Sequence, residues 1–197
     1  MSGHWNRRVT RARKTKILIP GWEQESYRGK LLTYAAEIEM GTKSALSRVF
    51  LEKGRNDLFK GPTSPLSNQH GRLLLALSIG LIDDDECKFL NDTRRVRNHY
   101  AHVPHPSLNS FVTDIRYKPI GAHADRIIDI VRHSPEADAI DNESAILIGF
   151  LMGQQFTTEM ALRAIFLGNA IKESAERCRE MDAEELSRLL GRSSPPS

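Results

Sequence analysis

The chain has 197 residues, 40% of them hydrophobic, with 28 basic and 25 acidic side chains. That is apolar material for one well-buried core, and two widely separated cysteines, Cys87 and Cys178, exclude a disulfide-stapled miniprotein. The longest apolar run, Leu73 to Ile82, is too short to span a bilayer, and no apolar stretch follows the basic start, so a cytoplasmic protein without membrane contact is expected.

The charge is unevenly placed. Residues 1 to 16 carry Arg7, Arg8, Arg11, Arg13, Lys14 and Lys16 and no acid, which leaves 22 basic against 25 acidic side chains elsewhere. One reading is a solvated, flexible leader over residues 1–22. The other is a basic arm that contacts the phosphates of RNA or DNA, with Trp5 and His4 available for stacking.

In chain order, Ile17 to Gly21 is a short apolar segment ended by Pro20 and Gly21. From about Glu23 to Glu52 the spacing of Leu31, Leu32, Ala35, Ile38, Leu46, Val49 and Phe50 predicts a helix, with Gly41 and Thr42 as a break or kink and Gly54 as its cap. Gly61, Pro62 and Pro65 make residues 56–67 a loop, pinned to the core by Leu58, Phe59 and Leu66. Gly71 to Leu81 is apolar nearly all round and reads as a buried helix, with Gly80 near its C-terminus.

A short acidic turn joins it to the next helix, so the two are expected to be antiparallel neighbours. Asp83, Asp84 and Asp85 precede Glu86 as an N-cap signal with an acidic first turn. Phe89, Thr93, Val96 and Tyr100 form an apolar stripe, and Pro104 stops the helix near His102. Arg94, Asn98 and His102 form a second stripe. Arg97 sits at the edge of the apolar one, about 140° around the axis from His102. A single helix therefore does not aim Arg97 and His102 at one bond. Either its end unwinds, or a second copy of the motif contributes.

Beyond the motif, a loop with Pro104 and Pro106 leads to Phe111–Tyr117, a short extended piece or helical turn, and then to a helical pattern from Gly121 to Arg132. Residues 134–142 read as a polar linker. Glu143 to Gln155 is a short, very apolar helix, either buried or a partner surface through Ile146 to Met152. Thr157 to Arg179 is a separate amphipathic helix. Asp182 opens a last helix capped by Gly191, and residues 193–197 form a frayed tail. Neither an internal repeat nor a Gly-rich phosphate loop is present, and no cofactor is expected.

The run Leu58-Phe59, Pro65-Leu66, Arg72-Leu73, Ala76-Leu77, Gly80-Leu81-Ile82, Asp85-Glu86, Leu90, Arg94 and Arg97-Asn98-x-x-Ala101-His102 resembles the mannitol-repressor family, a branch of the HEPN superfamily of helical bundles. The resemblance covers roughly residues 30 to 115. In that superfamily an Arg and a His a few residues apart are associated with metal-independent RNA cleavage, often across a dimer. The resemblance thus implies catalytic candidates Arg97, Asn98 and His102. His102 would take the 2′-OH proton, the fork of Arg97 would bind the phosphate, and Asn98 would orient the imidazole or bind phosphate. Arg94 and the basic residues of the tail are candidate nucleic-acid contacts. The alternative is structural: the polar helix end caps its own carbonyls, and Arg97 pairs with Glu37, Glu39 or Asp92. A metal site from His99, His102 and His105 lacks a completing ligand pair, and Cys87 beside three Asp residues is a poor nucleophile.

The expectation is an all-α, HEPN-like bundle over residues 23–133, with C-terminal helices over 143–192 packed on it, forming a homodimer. Its function is regulatory, as in mannitol repressors, through protein or nucleic-acid contacts; the alternative is a HEPN-type endoribonuclease.

Overall fold

The computed structural model describes residues 8–12, 24–50, 58–59, 64, 66–102, 118–133, 140–180 and 188. Among these residues every regular element is a helix, so the chain is all-α. The long elements are α1 (Tyr27–Val49), α2 (Gln69–Ser78), α3 (Asp84–His102), α4 (Lys118–Arg132) and α5 (Asn142–Glu180), preceded by a helical turn at residues 8–12.

Local chemistry sets where the helices begin and end. Ser26 caps α1, its Oγ accepting from the Gly29 N–H at 3.1 Å; Asn68 caps α2, its Oδ1 accepting from the Gly71 N–H at 2.8 Å. At the end of α2, Gly80 takes φ +73°, a left-handed conformation that favours glycine. The Leu81 N–H then donates to Ala76 O and the Gly80 N–H to Leu77 O, which closes a Schellman motif. Three residues later Asp83 and Glu86 form a reciprocal capping box. The Glu86 N–H donates to Asp83 Oδ1 at 2.8 Å, and the Asp83 N–H donates to Glu86 Oε2 at 3.1 Å. The turn between α2 and α3 is thus stitched from both sides, and the two helices pack against one another.

The core draws on every helix. Leu31, Ile38 and Leu46 of α1, Leu73 of α2, Phe89, Leu90 and Val96 of α3, Ile127 and Val131 of α4, and Ile146, Phe150, Phe156 and Met160 of α5 are all buried. Phe89 and Phe156 meet edge to face, with centroids 5.4 Å apart. Phe59 and Leu66 are buried, as the pinning role expected of them requires. Arg72 reinforces this pinning: its buried guanidinium donates to Leu66 O at 2.7 Å and Ser67 O at 2.9 Å.

Three expectations need correction. Residues 142–180 form one continuous helix rather than a linker end and two helices, since no proline interrupts them and Gly153 sits buried within the helix, against Ile38. Ile146, Phe150 and Met152 are therefore core and not a partner surface. Helix α5 packs on other helices, and α1 packs more extensively against it than against any other. Gly41 does not break α1; it allows close contact, and a Cβ there would lie 2.6 Å from Thr157 Oγ1. Finally, α2 is not buried all round: Leu73 and Ala76 face the core while Leu74 is exposed. Asp182 to Leu186 and Gly191 of the expected last helix lie outside the described residues.

The expected flexible leader is also revised for residues 8–12. Val9 and Ala12 are fully buried, and Arg8 is only 7% exposed. Its guanidinium lies 4.0 Å above the Phe156 ring and donates to Glu86 at 3.0 Å and to Glu159 at 2.6 Å. Arg163 reaches the same Glu86 carboxylate at 2.9 Å from the other side. Burial alone would raise the Glu86 carboxyl. The Arg163 hydrogen bond, the Asp83 N–H and the charges of Arg163 and Arg8 outweigh it and hold the group below its ordinary value of 4.5.

Two outcomes follow. At Gly168 an added Cβ would run into the Arg48 carbonyl oxygen, so Gly168→Ala should cost about 1–3 kcal/mol in urea unfolding; an unchanged midpoint would mean the α1–α5 contact is looser than described. The folded-state carboxyl of Glu86 is depressed, so its contribution is complete above pH 4.5 and is lost as pH falls through the folded value. Stability measured from pH 6 downward should fall less steeply in Glu86→Gln than in the parent.

Candidate functional site: a cationic cleft between three helices

Three helices enclose a cleft of about 470 Å³. Helix α1 contributes Ala35, Ile38 and Glu39; the start of α2 contributes Gln69 and His70 after the cap Asn68; α3 contributes Leu90, Thr93, Arg94, Arg97 and Asn98. The caps of α2 and α3 fix where these two helices begin, and the buried stripe of α3 turns Arg94, Arg97 and Asn98 toward the cleft.

The two guanidiniums are held by neutral groups. Arg94 donates through Nε and Nη2 to Asn91 Oδ1 at 3.1 and 2.9 Å. Arg97 donates through Nη1 to Asn98 Oδ1 at 2.9 Å. Among the described residues neither has a carboxylate partner. None of the acids proposed as partners of Arg97 is bonded to it, although Glu39 shares the cleft. Glu39 accepts from Arg72 at 3.3 Å. Asp92, buried against α4, accepts from Arg126 at 2.9 and 2.6 Å and pairs with His123 Nδ1. Glu37 lines a different groove. Burial, and then the neighbouring charge of Arg95, pushes the Arg94 guanidinium down from its ordinary value. Two adjacent cations neutralised by no acid form an arrangement suited to oxyanions, above all phosphate.

His102 is not part of it. It is exposed at the end of α3 and absent from the cleft walls, as the angular separation from Arg97 requires. Helix α3 does not unwind there, and its end is tied to α1 by Arg28, which donates to Ala101 O at 3.1 Å. One protomer therefore brings together Arg94, Arg97 and Asn98 but not His102. The imidazole that does line the cleft is His70, in the first turn of α2. Its place is not legible from periodicity alone, since it depends on how the loop before Asn68 seats α2 against α3.

The other sequence candidates separate. His99 is buried edge-on to Tyr100, with its imidazole pushed down by burial, so it does not share a ligand set with exposed His102; His105 lies outside the described residues. The Cys87 thiol is pushed up, by burial and then by Asp84, against a nucleophilic role. Arg8 is consumed by Glu86 and Glu159 and is unavailable to nucleic acid, which corrects its assignment as a phosphate contact. Arg11 is exposed on the wall of a groove between α1 and α5, while Arg7, Arg13, Lys14 and Lys16 lie outside the described residues.

Cleft and framework should respond differently to substitution. Arg97→Ala should change unfolding stability by no more than about 0.5 kcal/mol, because its one bond among the described residues goes to the neighbouring Asn98 amide and holds no other element. Asp92→Ala should cost roughly 1–3 kcal/mol, because the largely buried His123 loses its acceptor. Equal costs by thermal denaturation would make Arg97 a framework residue.

Searches with the whole chain returned no matching family model, curated protein or solved structure.

Proposed function

We propose that this is a regulatory protein related to the mannitol repressors, within the HEPN-type helical bundles, and that its working part is the cleft, as a binding site for a phosphate-bearing ligand. The observation that carries this reading is the pair Arg94 and Arg97, facing a cavity without a carboxylate partner among the described residues. The all-helical architecture and the acid-capped α3 that ends in the Arg-Asn-x-x-Ala-His sequence support the family reading.

The second reading is metal-independent cleavage of RNA, and the exposure of His102 is what favours it. An imidazole at an open helix end is available to the Arg97 cleft of a second copy, so cleavage would be a property of a homodimer. The 2′-OH proton would pass to His102, the 2′ oxygen would attack phosphorus, and the 5′ oxygen would leave with that proton. Arg97 would stabilise the charge on the phosphate.

RNA cleavage in EDTA separates the two. The regulatory reading expects no cleavage by the wild type above the background of Arg97→Ala and His102→Ala. Wild-type cleavage leaving 2′,3′-cyclic phosphate ends, lost in each variant and regained on mixing the two, would replace it with the dimeric nuclease.

A further inference from the structure

We propose that the cleft takes a small phosphomonoester with a flat, partly apolar body, of the size of a nucleoside monophosphate, and not a nucleic-acid strand. The inference rests on the phosphate-binding reading above and names its ligand class.

The cavity has the size of a small-molecule site. Its 470 Å³ falls within the range of about 300–1,000 Å³ that such sites occupy, and three helices wall it in. Its chemistry is divided. Arg94 and Arg97 stand three residues apart on α3, about one turn along the same wall, a spacing from which two guanidiniums can reach one phosphate. Ala35 and Ile38 of α1 and Leu90 of α3 supply an apolar surface that a phosphate alone does not use.

A strand would need other features. Proteins that hold single strands combine cations tracking successive phosphates with aromatic side chains on which bases stack. Among the described residues the walls of this cleft contain no Phe, Tyr or Trp and a single ring, that of His70, and the carboxylate of Glu39 stands among them, against a continuing polyanion. Gln69 adds a neutral polar side chain to the wall. Its Nε2 donates to Thr42 Oγ1 at 3.1 Å, which fixes the amide, and its Oε1 is buried with no donor among the described residues.

The test is calorimetric titration of the full chain with adenosine, uridine and phenyl monophosphates. Each is compared with its dephosphorylated counterpart, with inorganic phosphate, and with a short uridylate RNA whose ends are hydroxyls. The expected result is at least one monophosphate bound about ten-fold or more tighter than its counterpart and than inorganic phosphate. That binding should be lost in Arg94→Ala/Arg97→Ala and kept in Lys88→Ala, an exposed position on α3 paired with Asp85. Circular dichroism of all three proteins checks that they are folded. If the RNA binds more tightly than every monophosphate and depends on both arginines, the small-ligand inference falls and the phosphate-binding cleft stands. Inorganic phosphate binding as tightly as the esters would also overturn it, since the apolar wall would then read nothing. If no probe depends on the two arginines, both this inference and the reading beneath it fail.

Discussion

Helices α1 and α5 lie as close as they do because glycine stands where they touch. Gly41 faces Thr157, Gly153 faces Ile38, and Gly168 faces the backbone of Arg48, with no space for a Cβ at any of the three. At that separation side chains from both helices interdigitate over most of the length of α1, and dense packing of this kind deforms little. The cleft inherits the constraint. Ile38 is held against Gly153 on one side and forms the cleft wall on the other, so one wall of the site is set by a close contact between α1 and α5.

The allocation of charge is the second determinant. Buried acids are costly unless paired, and here the buried ones are paired. Glu86 gathers Arg8 and Arg163 and also closes the α3 cap; Asp92 gathers His123 and Arg126 and ties α3 to α4. Glu39 is drawn to Arg72, whose main role is to clamp the carbonyls of the loop before α2. The framework thus uses the acids near α3 and leaves Arg94 and Arg97 to neutral amides. A cationic cleft is what remains once the fold's own ion pairs are formed.

Much of this was legible in the chain, and the part that was not has a physical reason. Apolar spacing and the Asp83–Glu86 cap located α3 and its end near His102, and the angle between Arg97 and His102 anticipated that one helix would not unite them. The boundary drawn between residues 155 and 157 was misplaced, because the polar stretch around Gln154 and Gln155 interrupts the apolar run without ending the helix. Only the contact with Ile38 shows that Gly153, beside it, relieves a clash and does not end a helix. Arg8 read as part of a solvated arm because clustered cations usually are solvated, and its partners Glu86 and Glu159 lie 78 and 151 residues away. His70 and Gln69 entered the site for the same reason: their neighbours are close in space and remote in sequence, which no local pattern encodes.

The amide partners of Arg94 and Arg97 give the cleft a further property. An amide oxygen carries no proton to lose, and a guanidinium stays charged across the range in which proteins work. A site built from arginine–carboxylate pairs changes its balance when the acid is protonated. This pair does not, so the attraction it exerts on an anion is buffered against acidity.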